Sequence, residues 1–552
     1  MLNPEATSRG ALAASRFGLF PSLSASGASC SKFAARRAGF RPGSCVPRWV
    51  SFVLLIAVLG LLGCRREVDL SAFEELESGK PAVDLPYATP GAGDLLADPK
   101  GSDSAPAVRP ALGPTPTRVP PESTAVIYTV SAGDTLLRIA ALYGSTPEML
   151  MRLNGLSDAD QISVGQQLKV ALDADVVGPA TRLLPDSEVV YGPGYRDFDL
   201  AGVVAATPGF LHAYSEDVLG TTMSGSEIVQ LVATQFSVGP RVLLALLEYR
   251  AGWLTNAAPS AQQQTYPLGY FSQAYRTGLY RQLSAAADAL NTGFYGWWED
   301  SLWLLQTGDG TYVQFSTDLT AGTAALQYAL ATTSSSYEAW LSDLGNFVSV
   351  YRGLFGDPYS YAVEPLIPPS AESPALVLPW AVGETWYYTG GPHPGWGTLG
   401  SFSALDFVTA ERSIGCAQSA GWATAAADGP VLFSEDGMVL QDLDGDGSLT
   451  TGWVVLYMHM ASDGRVAAGT LLHTGDPVGH PSCEGGYSEA SHLHIARRYN
   501  GVWIAADSPA WPMQLSGWTP IASATAYEGQ LVKGDEQRTA CECWDAINAV
   551  RH

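Results

Sequence analysis

Ser491-His492-Leu493-His494-Ile495 is the stretch whose reading decides the fold of the last third of this chain. Its apolar and β-branched residues alternate with histidines, the pattern of an extended strand. Positions i and i+2 of a strand share a face, so His492 and His494 project together. Two imidazoles side by side make half of a metal site. Working outward, Leu456-Tyr457-Met458-His459-Met460 reads as a second strand, carrying one histidine among apolar neighbours. Ala404-Leu405-Asp406-Phe407-Val408 is a third, with a lone carboxylate that burial would penalise unless it were paired or bound to a metal. Gly390-Gly391-Pro392-His393-Pro394-Gly395 reads as a turn that exposes a histidine. A catalytic zinc site needs three nitrogen or oxygen ligands and an open fourth position. His393, Asp406 and one histidine of the pair could supply the three, leaving His459 and the other histidine to act on a substrate.

The order of these segments, with Gly391-x-His393, Leu405-Asp406-Phe407, Ala427-Asp428-Gly429-x-Val431, Tyr457-x-His459, Gly475-Asp476-x-Val478-Gly479 and His492-Leu493-His494, resembles the lysostaphin-type, LytM-like zinc endopeptidases. The resemblance covers about residues 380–535 and implies a largely antiparallel β-sheet peptidase domain. Matched residue by residue, it implies zinc (Zn2+) ligands at His393, Asp406 and His494, and catalytic partners at His459 and His492. It also implies the peptide part of peptidoglycan as substrate. The chain departs from that family in one respect. The family commonly places the aspartate four residues after the first histidine, whereas here the interval is thirteen, with Trp396 inside it. Some members keep the fold without hydrolysis and activate other wall hydrolases. A non-hydrolytic peptidoglycan-binding lipoprotein is therefore the alternative expectation.

The chain has 552 residues, 54 acidic against 30 basic side chains, a formal charge of −24, and 46% hydrophobic residues. The apolar content excludes a disordered acidic protein, and the missing basic excess argues against nucleic acid as a partner. Seven cysteines occur. Four of them, Cys416, Cys483, Cys541 and Cys543, would remain in an exported mature chain. These allow three pairings, of which Cys416–Cys483 is expected because both lie in one domain.

Export is read from the N-terminus. Residues 1–66 hold nine Lys/Arg and a single acid, and this basic start leads into the apolar run Trp49–Gly63, short for a membrane span but suited to a secretory signal. Leu61-Leu62-Gly63-Cys64 resembles a bacterial lipobox, which implies cleavage before Cys64, lipidation of its thiol and anchoring to the outer face of the membrane. Residues 1–63 are thus expected to be a leader and 64–124 a linker, with ten prolines between 81 and 121.

Beyond the linker, Val126–Val130 and Leu168–Val170 read as strands around two short helices, a βααβ order. Tyr128-Thr129-Val130-x-x-Gly133-Asp134-Thr135-Leu136 and Val164-Gly165-Gln166-x-Leu168 resemble a LysM module over about 125–172. That resemblance implies binding of N-acetylglucosamine-containing glycans between Gly133, Asp134, Thr135 and Leu136 on one side and Asn154, Gly155 and Ile162 on the other.

Residues 190–368 carry helical patterns, including Val242–Glu248 and Thr320–Leu330. Leu243 to Trp253 faintly resembles the catalytic helix of lytic transglycosylases. Arg250 stands where the acid would be, so a lysozyme-like domain without that activity is expected, with Trp297, Trp298 and Trp303 either a glycan platform or core. The peptidase domain is expected at 375–535, with a tail at 536–552. Asp442-x-Asp444-x-Asp446-Gly447 begins like a calcium loop but has Trp453 at the twelfth position, and it reads as a polar hairpin tip. The whole is a multidomain α+β protein.

Overall fold

The computed structural model of the chain describes residues 124–552, apart from 131–133, 137–138, 140–146, 157, 160, 164, 173, 272–275, 399, 412–414 and 524–525. The expected leader, the lipidation site Cys64, the linker before residue 124 and Gly133 lie outside the described residues. Among the described residues no helix is long and apolar enough to cross a membrane.

The small first module is built on β1 (Thr124–Thr129) and β2 (Gln167–Leu172), paired antiparallel from Thr124↔Leu172 to Thr129↔Gln167. Helix α1 (Pro147–Asn154) opens on a proline, which needs no N–H at that position. Val130, Leu136, Ile139, Leu150, Leu168 and Val170 form its core.

The middle region is helical. Its main elements are α2 (Gly225–Phe236), α3 (Pro240–Ala251), α4 (Leu279–Trp298), α5 (Ala321–Ala331) and α6 (Tyr337–Phe355). Ser224 and Glu227 form a reciprocal capping box at the start of α2, satisfying two N–H groups that the helix leaves unpaired. Trp297 and Trp303 are 2% and 8% exposed, and Trp298 is half-buried and stacked on Phe294. The aromatic cluster is therefore core, not a glycan platform, because apolar ring area is worth more inside the helix bundle. Arg250 is ion-paired with Asp343 at 3.1 Å, and Glu248 accepts the Leu254 N–H at the end of α3, so no acid faces a cleft there.

The last region is a nine-stranded sheet with antiparallel pairing throughout. Its strands are β3 (Thr385–His393), β4 (Ala404–Val408), β5 (Gly429–Glu435), β6 (Met438–Asp442), β7 (Trp453–Met458), β8 (Leu471–Leu472), β9 (Leu493–Tyr499), β10 (Val502–Trp503) and β11 (Ala549–Arg551). The spatial order is β8-β5-β6-β7-β9-β4-β3-β11, with β10 paired to β9. Strand β11 pairs with β3 through Val550↔Trp386, so residues 536–552 are not a tail: 549–551 close the edge of this sheet, and 536–539 pair with 530–533 in a separate three-stranded sheet. The cause is apolar: Val550 is fully buried in the core of that region.

Both faces of the sheet are covered, and period-two alternation sorts the side chains. Val439, Val455, Tyr457, Leu493 and Ile495 face one core. Met438, Leu440, Val454, Leu456 and Ala496 face the other, which they share with Phe236, Leu290 and Tyr295 of the helical region. Hydrogen bonds seal this junction: Arg498 donates to Thr234 O (3.0 Å), Ser237 Oγ to Gly501 O (2.6 Å) and Trp503 Nε1 to Phe236 O (3.2 Å). Helical region and sheet thus fold around one continuous core.

Candidate metal centre

His494 and Asp406 are directly opposed across β9 and β4, so their side chains rise from the same face. Gly390 lies opposite Asp406 on the far strand. A Cβ there would meet the Asp406 carboxylate at 2.5 Å, so only glycine leaves room for it. His393 ends β3 and is 1% exposed, which corrects the exposed turn expected from its sequence: the Gly390-Gly391-Pro392 run is strand, pressed against the segment Glu528–Gly529. Residues 394–398 and 400–403 of the thirteen-residue interval are loop, and His393 and Asp406 still meet.

The three inner atoms form a small triangle. His393 Nε2 lies 3.0 Å from His494 Nδ1 and 3.3 Å from Asp406 Oδ1, and His494 Nδ1 lies 3.2 Å from that oxygen. Ligands about 2.0–2.1 Å from a tetrahedral ion stand roughly 3.3 Å apart, which is the size of this triangle. The outer nitrogens decide what the inner atoms can do. His393 Nδ1 donates to Gly391 O (2.8 Å) and His494 Nε2 donates to Gly395 O (3.1 Å), which assigns lone pairs to both inner nitrogens. Asp406 Oδ1 is buried and no protein donor satisfies it. Three acceptors facing one another in a buried place repel unless a cation sits among them, so this donor set fits a zinc ion.

Burial and neighbouring charge shift Asp406, His494 and His459. Burial alone would raise the Asp406 carboxyl, but the His393 and His492 imidazoles outweigh it and keep the group well below its usual range. Burial pushes the His494 imidazole down, and pushes that of His459 down to about 3 with help from the neighbouring His492 and His494. An ionised Asp406 carboxylate and a neutral His494 imidazole are states that metal binding needs.

His459 follows β7 and has a left-handed backbone, φ +65°. Plain alternation would aim it away from the face that Met458 shares with His494. The left-handed residue turns its ring back, to 4.4 Å from the His492 ring and 6.2 Å from that of His494. His492 Nε2 is 3.6 Å from Asp406 Oδ1. Both rings tie Nδ1 to a carbonyl, Glu484 O for His459 (3.1 Å) and Ala490 O for His492 (2.8 Å). Their Nε2 atoms are left to face the centre. All five expected residues therefore converge, and Tyr527, which the sequence did not flag, stacks on His393 at 4.2 Å. The Gly390-Gly391 pair was the available signal, since adjacent glycines in a strand mark close backbone approach.

The remaining expected sites divide. In the first module, Tyr128 Oη donates to the Asp134 carboxylate (2.6 Å), Thr135 is exposed, and Gly155 is exposed with φ +63°. Asn154 donates to Leu150 O and Lys169 O and accepts the Lys169 N–H, so its amide ties helix α1 to β2. Asp442, Asp444 and Asp446 cluster at the β6–β7 hairpin, where the Asp442 carboxylate accepts the N–H groups of Asp444, Gly445 and Gly447. Cys416–Cys483 is a disulfide, and so is Cys541–Cys543.

Comparison with known proteins gives two family matches. The LysM domain matches residues 128–171, and "LasA, N-terminal domain" matches residues 182–369. The chain carries both domains. Over 48 residues it is 55% identical to the N-acetylmuramoyl-L-alanine amidase sle1 of Staphylococcus saprophyticus, which is 9% of this chain and 14% of that protein. The chain thus spans about one seventh of that curated relative's length. Similar solved structures include the M23 metalloprotease pseudoalterin from the deep sea, at 20% identity and a TM-score of 0.24, covering 30% of this chain and 95% of that one. Another is the catalytic domain of the antimicrobial peptidase lysostaphin from Staphylococcus simulans, at 22% identity and a TM-score of 0.16, covering 22% and 89%.

Proposed function

We propose that this LysM-bearing chain is a cell-wall hydrolase, a zinc-dependent endopeptidase that cuts the peptides of peptidoglycan. The observation that carries this reading is the triangle of His393 Nε2, Asp406 Oδ1 and His494 Nδ1, 3.0–3.3 Å on a side, with both outer nitrogens committed to carbonyls. These three residues would hold the zinc, which when bound supplies a Lewis acid that polarises a carbonyl and acidifies water.

His459 and His492 do the rest. With Nδ1–H held by Glu484 O and Ala490 O, each presents the Nε2 lone pair to the centre. One Nε2 takes the proton of the attacking water, and the protonated ring then delivers it to the leaving amine. The other ring can hold the oxyanion once it is protonated on Nε2 as well, since only the imidazolium keeps Nδ1–H on its carbonyl and donates from Nε2. The near-complete burial of His459 excludes bulk water that would compete for the same proton. The LysM domain would keep the enzyme on glycan and raise the local concentration of peptide. The two disulfides accord with an exported, oxidising location. Anchoring through a lipidated Cys64 is proposed on the Leu61–Cys64 motif alone.

The test is zinc content and release of new amine ends from peptidoglycan by the full mature chain, beside a His494→Ala form. About one zinc per chain and amine release, both lost in the variant, support the reading. A folded chain that holds zinc but releases no amine would point to the non-hydrolytic wall-binding lipoprotein instead.

A further inference from the structure

The loop between the two expected ligands on β3 and β4 is held by the helical region, and the contacts run in one direct line to the metal centre. Thr398 N–H donates to Asp288 Oδ1 (2.8 Å), and Thr398 Oγ1 donates to Asp288 Oδ2. Asp288 lies on α4, 110 residues earlier in the chain. Gly397, next to Thr398, has φ +82°, and a Cβ there would meet Asp288 Oδ1 at 2.4 Å. Trp396 packs edge-on against Phe236 of α2, ring centres 6.2 Å apart. Gly395 comes next. It sits against Trp503 and Ser403, where a Cβ would find atoms at 2.8 and 2.3 Å. Trp503 in turn is fixed from α4, its N–H donating to Tyr295 Oη at 2.9 Å. The Gly395 carbonyl is the acceptor for His494 Nε2–H.

We infer that Asp288 is a positioning residue for the metal centre: by clasping Thr398 it holds residues 395–398 so that the Gly395 carbonyl fixes the orientation and tautomer of His494. The inference rests on the metal-centre reading above. It gives the long interval between His393 and Asp406 a use. The extra residues reach out to the helical region and return with a carbonyl for a ligand. A ligand histidine whose far nitrogen loses its acceptor can rotate or change tautomer, and such partners are typically worth ~10–100-fold in metal affinity. Asp288 acts at one further remove, so about tenfold is the expected size.

The experiment compares the full mature chain with Asp288→Ala, Asp288→Asn and Thr398→Val. Zinc dissociation constants are measured by competition with a chromogenic chelator, and amide hydrogen exchange is followed over 394–403 in the zinc-free proteins. Asp288→Ala should weaken zinc about tenfold and speed loop exchange. Thr398→Val should do the same, with little added effect in the double variant. Asp288→Asn keeps an acceptor for the Thr398 N–H and should restore most of the affinity. Should Asp288→Ala fail to fold, Thr398→Val carries the test from the loop side. Zinc affinity unchanged in both Asp288→Ala and Thr398→Val, in a wild type that binds zinc, overturns the positioning role and leaves the metal centre standing. Asp288→Asn as weak as Asp288→Ala also overturns it, since charge rather than the clasp would then matter. A wild type that binds no zinc removes the metal-centre reading and this inference with it.

Discussion

At the scale of single residues, the centre separates ligands from acting groups. His459 is no member of the inner triangle, so His459→Ala should keep about one zinc per chain. It should lower kcat by ~10²–10⁴, the usual range for losing a positioned acid or base, as metal analysis beside amine release would show. The depressed imidazoles also set a pH dependence. His459 is held to about 3 and His494 is also lowered, so below the ordinary histidine value the unfolded chain binds protons that the folded chain refuses. The zinc-free protein should therefore lose stability as pH falls below about 6.5, by up to ~1.4 kcal/mol per pH unit for each such group. Asp406, held low, adds loss in the same direction below its unfolded value. Thermal unfolding of the zinc-free chain from pH 8 to 4.5 would show this, and His459→Gln should flatten the curve. The five residues were legible in the sequence because alternation and ligand chemistry are local. The left-handed turn at His459 was not, since nothing in Met458-His459-Met460 signals a positive φ.

At the scale of elements, the end of β3 is clamped from outside the sheet. The Gly391 N–H donates to Tyr527 O (2.7 Å), its carbonyl receives His393 Nδ1–H, and a Cβ on it would meet Glu528 O at 2.3 Å. Backbone cannot step aside as a side chain can. Gly391→Ala should therefore shift the 527–529 segment off His393, lower the melting temperature by several degrees and weaken zinc. The decisive comparison is with Gly383→Ala, at a glycine with open space but φ +91°, which should cost stability through backbone strain alone and leave zinc binding unchanged. Strands were readable where one face was apolar, as in β7 and β9. The β3 end read as a turn because Gly-Gly-Pro carries turn chemistry, and tertiary packing overrode it. The role of the 394–403 loop could not be read at all, because its partner Asp288 lies 110 residues away.

At the scale of the whole molecule, the shared core means that the sheet has no finished surface of its own. Met438, Leu440, Val454, Leu456 and Trp503 would be bared if residues 370–552 were produced alone. That fragment should be aggregation-prone or molten, whereas a chain from residue 175 onward, without the LysM domain and the residues before it, should stay soluble. Size-exclusion profiles and near-ultraviolet circular dichroism of the two would decide it. The chain from residue 175 onward should still cut soluble wall peptides and lose retention on insoluble peptidoglycan, as a pull-down would reveal. The boundary of the last region looked like a domain limit in sequence, yet composition cannot show that two regions share one interior. The same blindness made Ala549–Arg551 look like a tail.

Strand β9 joins these scales. On one face it carries His494 at one end and Arg498, two alternations on, at the other; the first belongs to the candidate metal centre and the second grips Thr234. A single inserted or deleted residue within β9 would send both to the wrong side at once. Descendants of this gene can therefore vary in length where the backbone leaves the sheet, and hardly at all inside it. The thirteen-residue interval lies outside the sheet, so a change in its length would spare the strand register and instead disturb the hold of Asp288 on Thr398.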